Sequence, residues 1–337
     1  MSQMLIPNTV TEACQMLSSG NRVACAGATN LYVDREKGKY LDRDIVSLHR
    51  LKELSGIREE KDGWHIGSLT TFDLIEDVFR GQGSMDALAE AASLVGSPQI
   101  RNRGTIGGNI LSASPAADTV PVLMALDAVL VLVSETGQRM VSINGFMKGP
   151  GRTAIHQGEI LTEIVIPFKT GAARFRKVGK RNALAISIIN VAVYMEKEAG
   201  RITALTIAIC SAGPTALRAF HTEELLRAWK RPDSEEKWQS LHEEIAIALS
   251  EDISPIDDIR ATGSYRKTVA DNVVLQLVRE LWEACENENT RFYFKREARH
   301  TEIPEDATLL KVLRDILHLT GTKRAAAKVT AVPARSW

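Results

Sequence analysis

An α+β fold is predicted for this chain of 337 residues, on three observations. Short apolar strands and amphipathic helices alternate through the first half, two long apolar segments meet at a glycine turn near residue 200, and an almost wholly helical pattern follows from residue 218 to 286. The length accommodates two or three domains, each with a real core. Lys plus Arg and Asp plus Glu stand at 42 each, so no global field draws the chain to nucleic acid or to an anionic membrane. No apolar run reaches the roughly 18 residues that span a bilayer, and the start, Met1-Ser-Gln-Met-Leu-Ile-Pro7, lacks the pattern of a signal peptide. Cys14, Cys25, Cys210 and Cys285 are far apart and form no CxxC pair, which suits buried, reduced thiols in a cytoplasmic protein.

The elements follow in order. Asn8 and Thr9 give a cap signal ahead of a short amphipathic helix, and Arg22-Val-Ala-Cys-Ala26 is expected as a buried strand. A helix over 31–37 and a strand over 44–48 complete a βαβ-like opening. That opening sets Gly27, Ala28, Thr29 and Asn30 at a strand end facing a helix start, where oriented N–H groups meet anions. A second region begins at Trp64, with a helix over 84–95. Residues 121–133 are nearly all apolar and read as a buried helix running into a strand, and Ile160-Leu-Thr-Glu-Ile-Val-Ile-Pro167 alternates like a strand. Residues 183–196 and 202–212 make a hairpin around Glu198-Ala-Gly200. The helical stretch after residue 218 should break near Arg231-Pro-Asp233 and over 251–255.

Within 96–118, Gly104, Gly107 and Gly108 are crowded among Thr105, Asn109, Ser112 and Ser114, and a single carboxylate, Asp118, closes the run. Adjacent glycines let backbone N–H groups approach a ligand, and a cluster of them forms an anion nest whose usual occupant is a diphosphate. The segment is neither GxGxxG nor GxxxxGK[ST], so neither a kinase nor an ordinary dinucleotide fold is indicated. The seven histidines show no HExxH-type spacing for zinc, and Asp257-Asp258 and Glu235-Glu236 read as solvated charges. The basic run over 174–181 carries Phe175 as its single aromatic, which fits nucleic acid poorly.

Three segments in this order, Ala24-Cys-Ala-Gly-Ala-Thr-Asn-Leu31, Thr105-Ile-Gly-Gly-Asn109 with Ala113-Ser-Pro-Ala-Ala-Asp118, and Glu159-Ile-Leu-Thr-Glu-Ile-Val-Ile-Pro167 followed by Phe175-Arg-Lys177, resemble the FAD-binding medium subunit of the molybdenum hydroxylases, the xanthine dehydrogenase and carbon monoxide dehydrogenase family. The resemblance covers about residues 1–285. It implies an FAD-binding domain of the PCMH/vanillyl-alcohol-oxidase-like type over 1–170, with subdomains at about 1–58 and 59–170. A C-terminal domain over 171–286, a small antiparallel sheet with a helix bundle, would follow. It further implies that FAD is held by Ala24, Cys25, Ala26, Gly27, Ala28, Thr29, Asn30 and Leu31 in one loop and by Thr105, Ile106, Gly107, Gly108 and Asn109 in the other, with Val95, Asp118, Leu161 and Lys177 around them. Asp118 would accept from a ribityl or ribose hydroxyl, Leu161 would lie near the adenine, and Lys177 would approach the isoalloxazine. The flavin carries the chemistry, so no residue is assigned as catalytic. The molybdenum cofactor and [2Fe–2S] clusters are implied on a large and a small partner subunit, with NAD or another molecule as electron acceptor.

Two departures stand out. Where the family's first loop usually reads Ala-Gly-Gly-Thr, this chain has Ala26-Gly-Ala-Thr29. A left-handed residue 28 would then cost roughly 1 kcal/mol for its methyl group. Asn30 replaces a common Asp or Glu. A chain that keeps the fold without turnover, as a remnant or an assembly component, is therefore the alternative reading.

The tail resembles a different part of such enzymes. Residues 291–323 fall outside the flavin-subunit resemblance, and Thr301 to Lys323 are similar to the first hairpin and helix of the [2Fe–2S] subunit, yet the C-x₄-C-x₂-C cysteines expected next are replaced by Arg324-Ala-Ala-Ala-Lys-Val-Thr-Ala-Val-Pro-Ala-Arg-Ser-Trp337. Those fourteen residues are what the cluster motif E-G-C-G-K-G-D-C-G-A-C-T-V-L yields when translated from the second base of its first codon, with Ala326, Ala331 and Ala334 where the cysteines would stand. Residues 287–337 are thus expected to be a linker and an incomplete β-grasp fragment, too small to bury its own apolar face.

Overall fold

The structure, a computed structural model, describes residues 2–181, 184–198 and 200–284, together with two short strands further on. It divides into two compact units, Met1–Leu281 and Trp282–Trp337.

The first unit opens on strand β1 (Met4–Leu5), helix α1 (Val10–Ser18), β2 (Arg22–Cys25), α2 (Leu31–Glu36) and β3 (Asp44–Ser47). The strands form a parallel sheet in the order β1-β3-β2, so α2 is the crossover of a βαβ unit. Thr9 caps α1 by accepting from the Glu12 amide at 3.1 Å, and the Glu12 carboxylate accepts from the Asn8 amide at 2.7 Å. The helix buries Ala13 and Cys14 against Val46, Leu48, Leu51 and Ile160.

Strands β4 (Ile57–Glu60) and β5 (Gly63–Gly67) begin the next layer. Five helices come next: α3 (Phe72–Phe79), α4 (Asp86–Ser93), α5 (Pro98–Arg101), α6 (Ile106–Ser112) and α7 (Val120–Ala125). Strands β6 (Val129–Ser134) and β7 (Gly137–Ser142), the small pair β8 (Met147–Gly149) and β9 (Arg152–Thr153), and β10 (Ile160–Pro167) complete the layer. The large sheet is antiparallel in the order β4-β5-β10-β6-β7. Its inner face, with Ile66, Leu130 and Ile164, meets Phe72, Ile75, Phe79, Ile106 and Leu123 of the helices in one continuous core.

Strands β11 (Ala172–Gly179), β12 (Ser187–Glu198), β13 (Arg201–Cys210) and β14 (Leu217–Arg218) form an antiparallel meander, followed by α8 (Phe220–Ala228), α9 (Glu235–Asp252) and α10 (Gly263–Glu283). Phe175, Ala192, Tyr194 and Ala208 from this sheet join the same core as the helices of the preceding layer. In the second unit, β15 (Phe292–Phe294) pairs antiparallel with β16 (Glu297–Arg299). The expectations for the remainder of the tail, including the helix and the displaced cysteine motif, lie outside the described residues.

Two expectations need correction. The strand β2 is not buried throughout: Cys25 is, while Ala24 is exposed, because β2 is the edge of its sheet and one face forms the wall of a cavity. Asp257 is exposed as expected, while Asp258 is partly withdrawn from solvent and tied down. Asp257 accepts from the Gly263 amide at 2.6 Å, and Asp258 accepts from Arg266 at 2.7 Å and from the Arg260 amide at 2.8 Å. Glu235 and Glu236 are exposed helix-face charges as expected, and Glu235 also pairs with Arg279 of the neighbouring helix. Cys14, Cys25 and Cys210 are free, and burial raises each thiol above its ordinary range.

Candidate functional site

A cavity of about 1080 Å³ opens where the parallel sheet, the glycine segment and the loop before β10 meet. Its lining includes fifteen of the seventeen residues singled out for cofactor contact, from Ala24 through Leu31, then Val95, Thr105, Gly107, Gly108, Asn109, Asp118 and Leu161. The other two fall elsewhere. Ile106 is fully buried in the core beneath α6, because an apolar first residue of that helix faces inward. Lys177 lines a neighbouring cavity of about 730 Å³ instead.

The two glycine loops touch. A Cβ on Gly27 would sit 1.7 Å from the carbonyl oxygen of Arg103, so only glycine lets the first loop close against the second. The residue after it, Ala28, is left-handed at φ 66°, as the departure in the motif implied, and carries the strain that glycine would avoid. Among the described residues, the amides of Gly27, Ala28, Thr29, Asn30 and Leu31 have no hydrogen-bond partner. They belong to a loop that runs into a helix start, where amides are left without internal acceptors.

The second loop differs from the expectation of a row of free amides. Thr105 caps α6, its hydroxyl accepting from the Gly108 amide at 3.1 Å and its carbonyl accepting from the Asn109 amide at 3.0 Å. The Ile106 amide donates to the Thr70 carbonyl at 3.0 Å and the Gly107 amide to the Ser68 carbonyl at 2.9 Å. A Cβ on Gly107 would lie 2.7 Å from Ser68, so this glycine serves close packing of the helix start on the turn that follows β5. Asn109 accepts from the Thr119 hydroxyl at 2.7 Å, which orients its side chain and leaves the Nδ2 donor without a partner among the described residues. Asn30 is committed locally, donating to Asp34 at 3.1 Å.

Asp118 and Lys177 meet directly. The Lys177 ammonium donates to Asp118 Oδ2 at 2.6 Å and to the Leu94 carbonyl at 2.9 Å, with both side chains a tenth or less exposed. Asn190, fully buried on β12, donates to Asp118 Oδ1 at 3.0 Å. Burial pushes the Asp118 carboxyl above its ordinary range, and the charge and hydrogen bond of Lys177, then the hydrogen bond of Asn190, oppose that rise. This pair joins the end of the glycine segment to β11, and neither partner is the solvated surface group that a lysine or an aspartate usually is. Asn190 escaped sequence reasoning because it lies 72 residues from Asp118 in an apolar strand, and no local motif marks it.

The basic run over 174–181 has partners within the chain as well: Arg176 donates to Glu280 at 2.8 Å and Lys180 to the Ile259 carbonyl at 2.8 Å. One cluster that the histidine spacing did not reveal is Glu60, Asp62 and His65, whose ligand atoms lie within 4.8 Å of one another on the β4–β5 hairpin. Among the described residues no helix is long and apolar enough to cross a membrane.

Comparison with known proteins agrees with this geometry. Residues 1–169 match the family model of the FAD binding domain in molybdopterin dehydrogenase, and residues 174–281 match that of the CO dehydrogenase flavoprotein C-terminal domain. The chain belongs to this flavoprotein family. It is 33% identical over 279 residues to the xanthine dehydrogenase FAD-binding subunit of Escherichia coli O157:H7, covering 81% of this chain and 93% of that one. It is 32% identical over 243 residues to the carbon monoxide dehydrogenase medium chain of Hydrogenophaga pseudoflava, covering 72% of this chain and 82% of that one. A solved structure of carbon monoxide dehydrogenase from the same organism, one lacking the Mo-pyranopterin moiety of the molybdenum cofactor, superimposes with a TM-score of 0.75 at 30% identity, over 84% of this chain and 97% of the other. In this molybdopterin-dehydrogenase flavoprotein, an FAD-binding domain is therefore joined to a CO dehydrogenase flavoprotein C-terminal domain, and its relatives are subunits of oxidoreductases.

Proposed function

We propose that this flavoprotein holds FAD in the large cavity and serves as the electron-exchange subunit of a molybdenum hydroxylase complex. The observation that carries the reading is the first loop: five amides without internal partners, closed by Gly27 against the second loop, in a cavity large enough for a dinucleotide. The residues present fit the cofactor. The amides of 27–31 would receive the diphosphate, with the Asn109 Nδ2 and the Thr29 and Thr105 hydroxyls as further donors. Leu161 and Val95 would give apolar contact, and the Asp118–Lys177 pair would stand at the flavin end. When bound, the flavin supplies redox chemistry, taking electrons from [2Fe–2S] clusters on a small partner subunit, downstream of a molybdenum cofactor on a large one, and giving them to NAD or another acceptor.

The chain's own contribution is electrostatic and steric. The Lys177 side chain is held in a site of low exposure by Asp118 and the Leu94 carbonyl. Asn190 and Lys177 together favour the ionised form of Asp118 against its burial. The division into a cofactor domain over 1–170 and a C-terminal domain over 171–286 belongs to the same proposal, as do the cytoplasmic setting and the incomplete iron–sulfur fragment over 287–337. The strained Ala28 favours the second reading, a fold kept without turnover.

Purified chain titrated with FAD separates the two. Saturable quenching of flavin fluorescence at one FAD per chain supports the flavoprotein, and co-purification with a molybdopterin subunit and a [2Fe–2S] subunit supports the complex. A chain that takes up no FAD removes the proposal and leaves the remnant.

A further inference from the structure

The cavity does not stop at the glycine loops. It continues along the exposed face of β2 to the turn over residues 40–43, where Tyr40 and Arg43 line it. We infer that Tyr40 and Arg43 form the wall that recognises the adenosine half of the cofactor, and so set a preference for a dinucleotide flavin over a mononucleotide one. The inference rests on the reading of this cavity as the FAD site.

Length is the first support. β2 pairs with β3 from Cys25 opposite Ser47 to Arg22 opposite Asp44, and Arg43 immediately precedes that last pair. Three residues of strand span about 10 Å, the reach of an adenosine from its phosphate. A diphosphate at the 27–31 amides thus carries its adenosine along β2 to Arg43. The opposite wall is the loop ahead of β10, anchored where Gln157 donates to the Ser18 carbonyl at 3.2 Å, and it leads into Leu161.

Chemistry is the second. The Arg43 guanidinium lies over the Tyr40 ring, 5.3 Å from its centroid, and both residues are half-buried. An aromatic face paired with a planar cation is a stacking platform suited to a purine. The neighbouring cations are already occupied. Arg22 donates to the Met16 carbonyl at 2.7 Å, Lys39 pairs with Asp34 at 3.1 Å, and Arg35 donates to the Tyr40 carbonyl at 2.9 Å. Among the described residues the Arg43 guanidinium has no hydrogen bond or ion pair, only the Tyr40 ring beneath it.

Backbone conformation is the third. Tyr40 is left-handed at φ 56°, unusual for an aromatic residue. Its carbonyl is pinned by Arg35 and by the Arg43 amide at 3.2 Å, which holds the strain in place. Asparagine or glycine would meet the turn at lower cost, so the turn itself does not call for tyrosine.

The test uses the full chain freed of cofactor, with Arg43→Gln and Tyr40→Asn variants; asparagine tolerates the left-handed backbone and removes the ring. Dissociation constants are measured for FAD, for FMN and for ADP, the last by displacement of FAD. Each variant should bind FAD and ADP about tenfold more weakly while FMN stays within about twofold, the loss expected for a single stacked base. Unchanged FAD and ADP affinity, or a parallel loss for FAD and FMN, overturns the inference. If Tyr40→Asn does not fold, Arg43→Gln decides by the same comparison. A wild-type chain that takes up no FAD instead overturns the underlying reading of the cavity, and no variant is needed to see it.

Discussion

The two glycine loops look alike as sequence and are opposite as structure. In the first, the amides of residues 27–31 are without internal partners, and the backbone is strained at Ala28. In the second, the amides of residues 106–109 are all bonded within the chain, and Gly107 exists so that α6 can start against Ser68. One loop has donors to spare, which the proposed function assigns to the cofactor, and the other builds the platform against which the first closes. A cluster of glycines therefore indicates close approach of backbone, and only the hydrogen-bond inventory tells whether a ligand or the protein itself is approached.

Substitutions can break that contrast. Gly27→Ala should have the largest effect on the ligand, because its methyl would collide with the Arg103 carbonyl and force the loops apart. FAD titration should then show no saturable uptake. Gly107→Ala should act on stability first: overpacking against Ser68 costs about 1–3 kcal/mol, read as a lower midpoint in urea with an unchanged slope. Thr105→Ala removes the cap of α6 and should cost about 1 kcal/mol by the same measurement. The smallest effect is expected from Ala28→Gly, which relieves a left-handed alanine and should raise stability by up to about 1 kcal/mol while tightening FAD binding. If Gly27→Ala and Gly107→Ala instead behaved alike in both assays, the division of labour would be wrong.

The hairpin at the far edge of the large sheet offers a pH test independent of both loops. Burial alone would lower His65, but hydrogen bonds to Glu163 and Asp62, then the charges of Glu163 and Glu60, outweigh it and leave the imidazole raised. A raised folded value means that the contribution is full below the unfolded value near 6.5 and fades as pH rises through the folded one. His65→Gln should therefore lose more stability at pH 5.5 than at pH 9 in urea titrations. Equal losses would contradict the assignment.

Much of this was legible in the sequence. Turn residues and apolar spacing locate the βαβ opening, the long hairpin and the breaks between α8, α9 and α10, since these signals are local. The same residues gather around one cavity because strand ends and helix starts bring glycine loops together. What sequence could not give was the destination of each polar group. The pairing of Asp118 with Lys177 and Asn190 joins the segment ahead of α7 to two neighbouring strands of a distant sheet, the inward turn of Ile106 follows from the phase of a helix that begins on it, and the exposure of Ala24 follows from β2 being an edge. Each is a tertiary fact with no short-range signature.

Amide hydrogen–deuterium exchange, resolved by residue with and without FAD, tests the central claim most directly. The account predicts that FAD slows exchange at residues 27–31 while residues 106–109 are already protected and change little. Protection gained at 106–109 with none at 27–31 would contradict it.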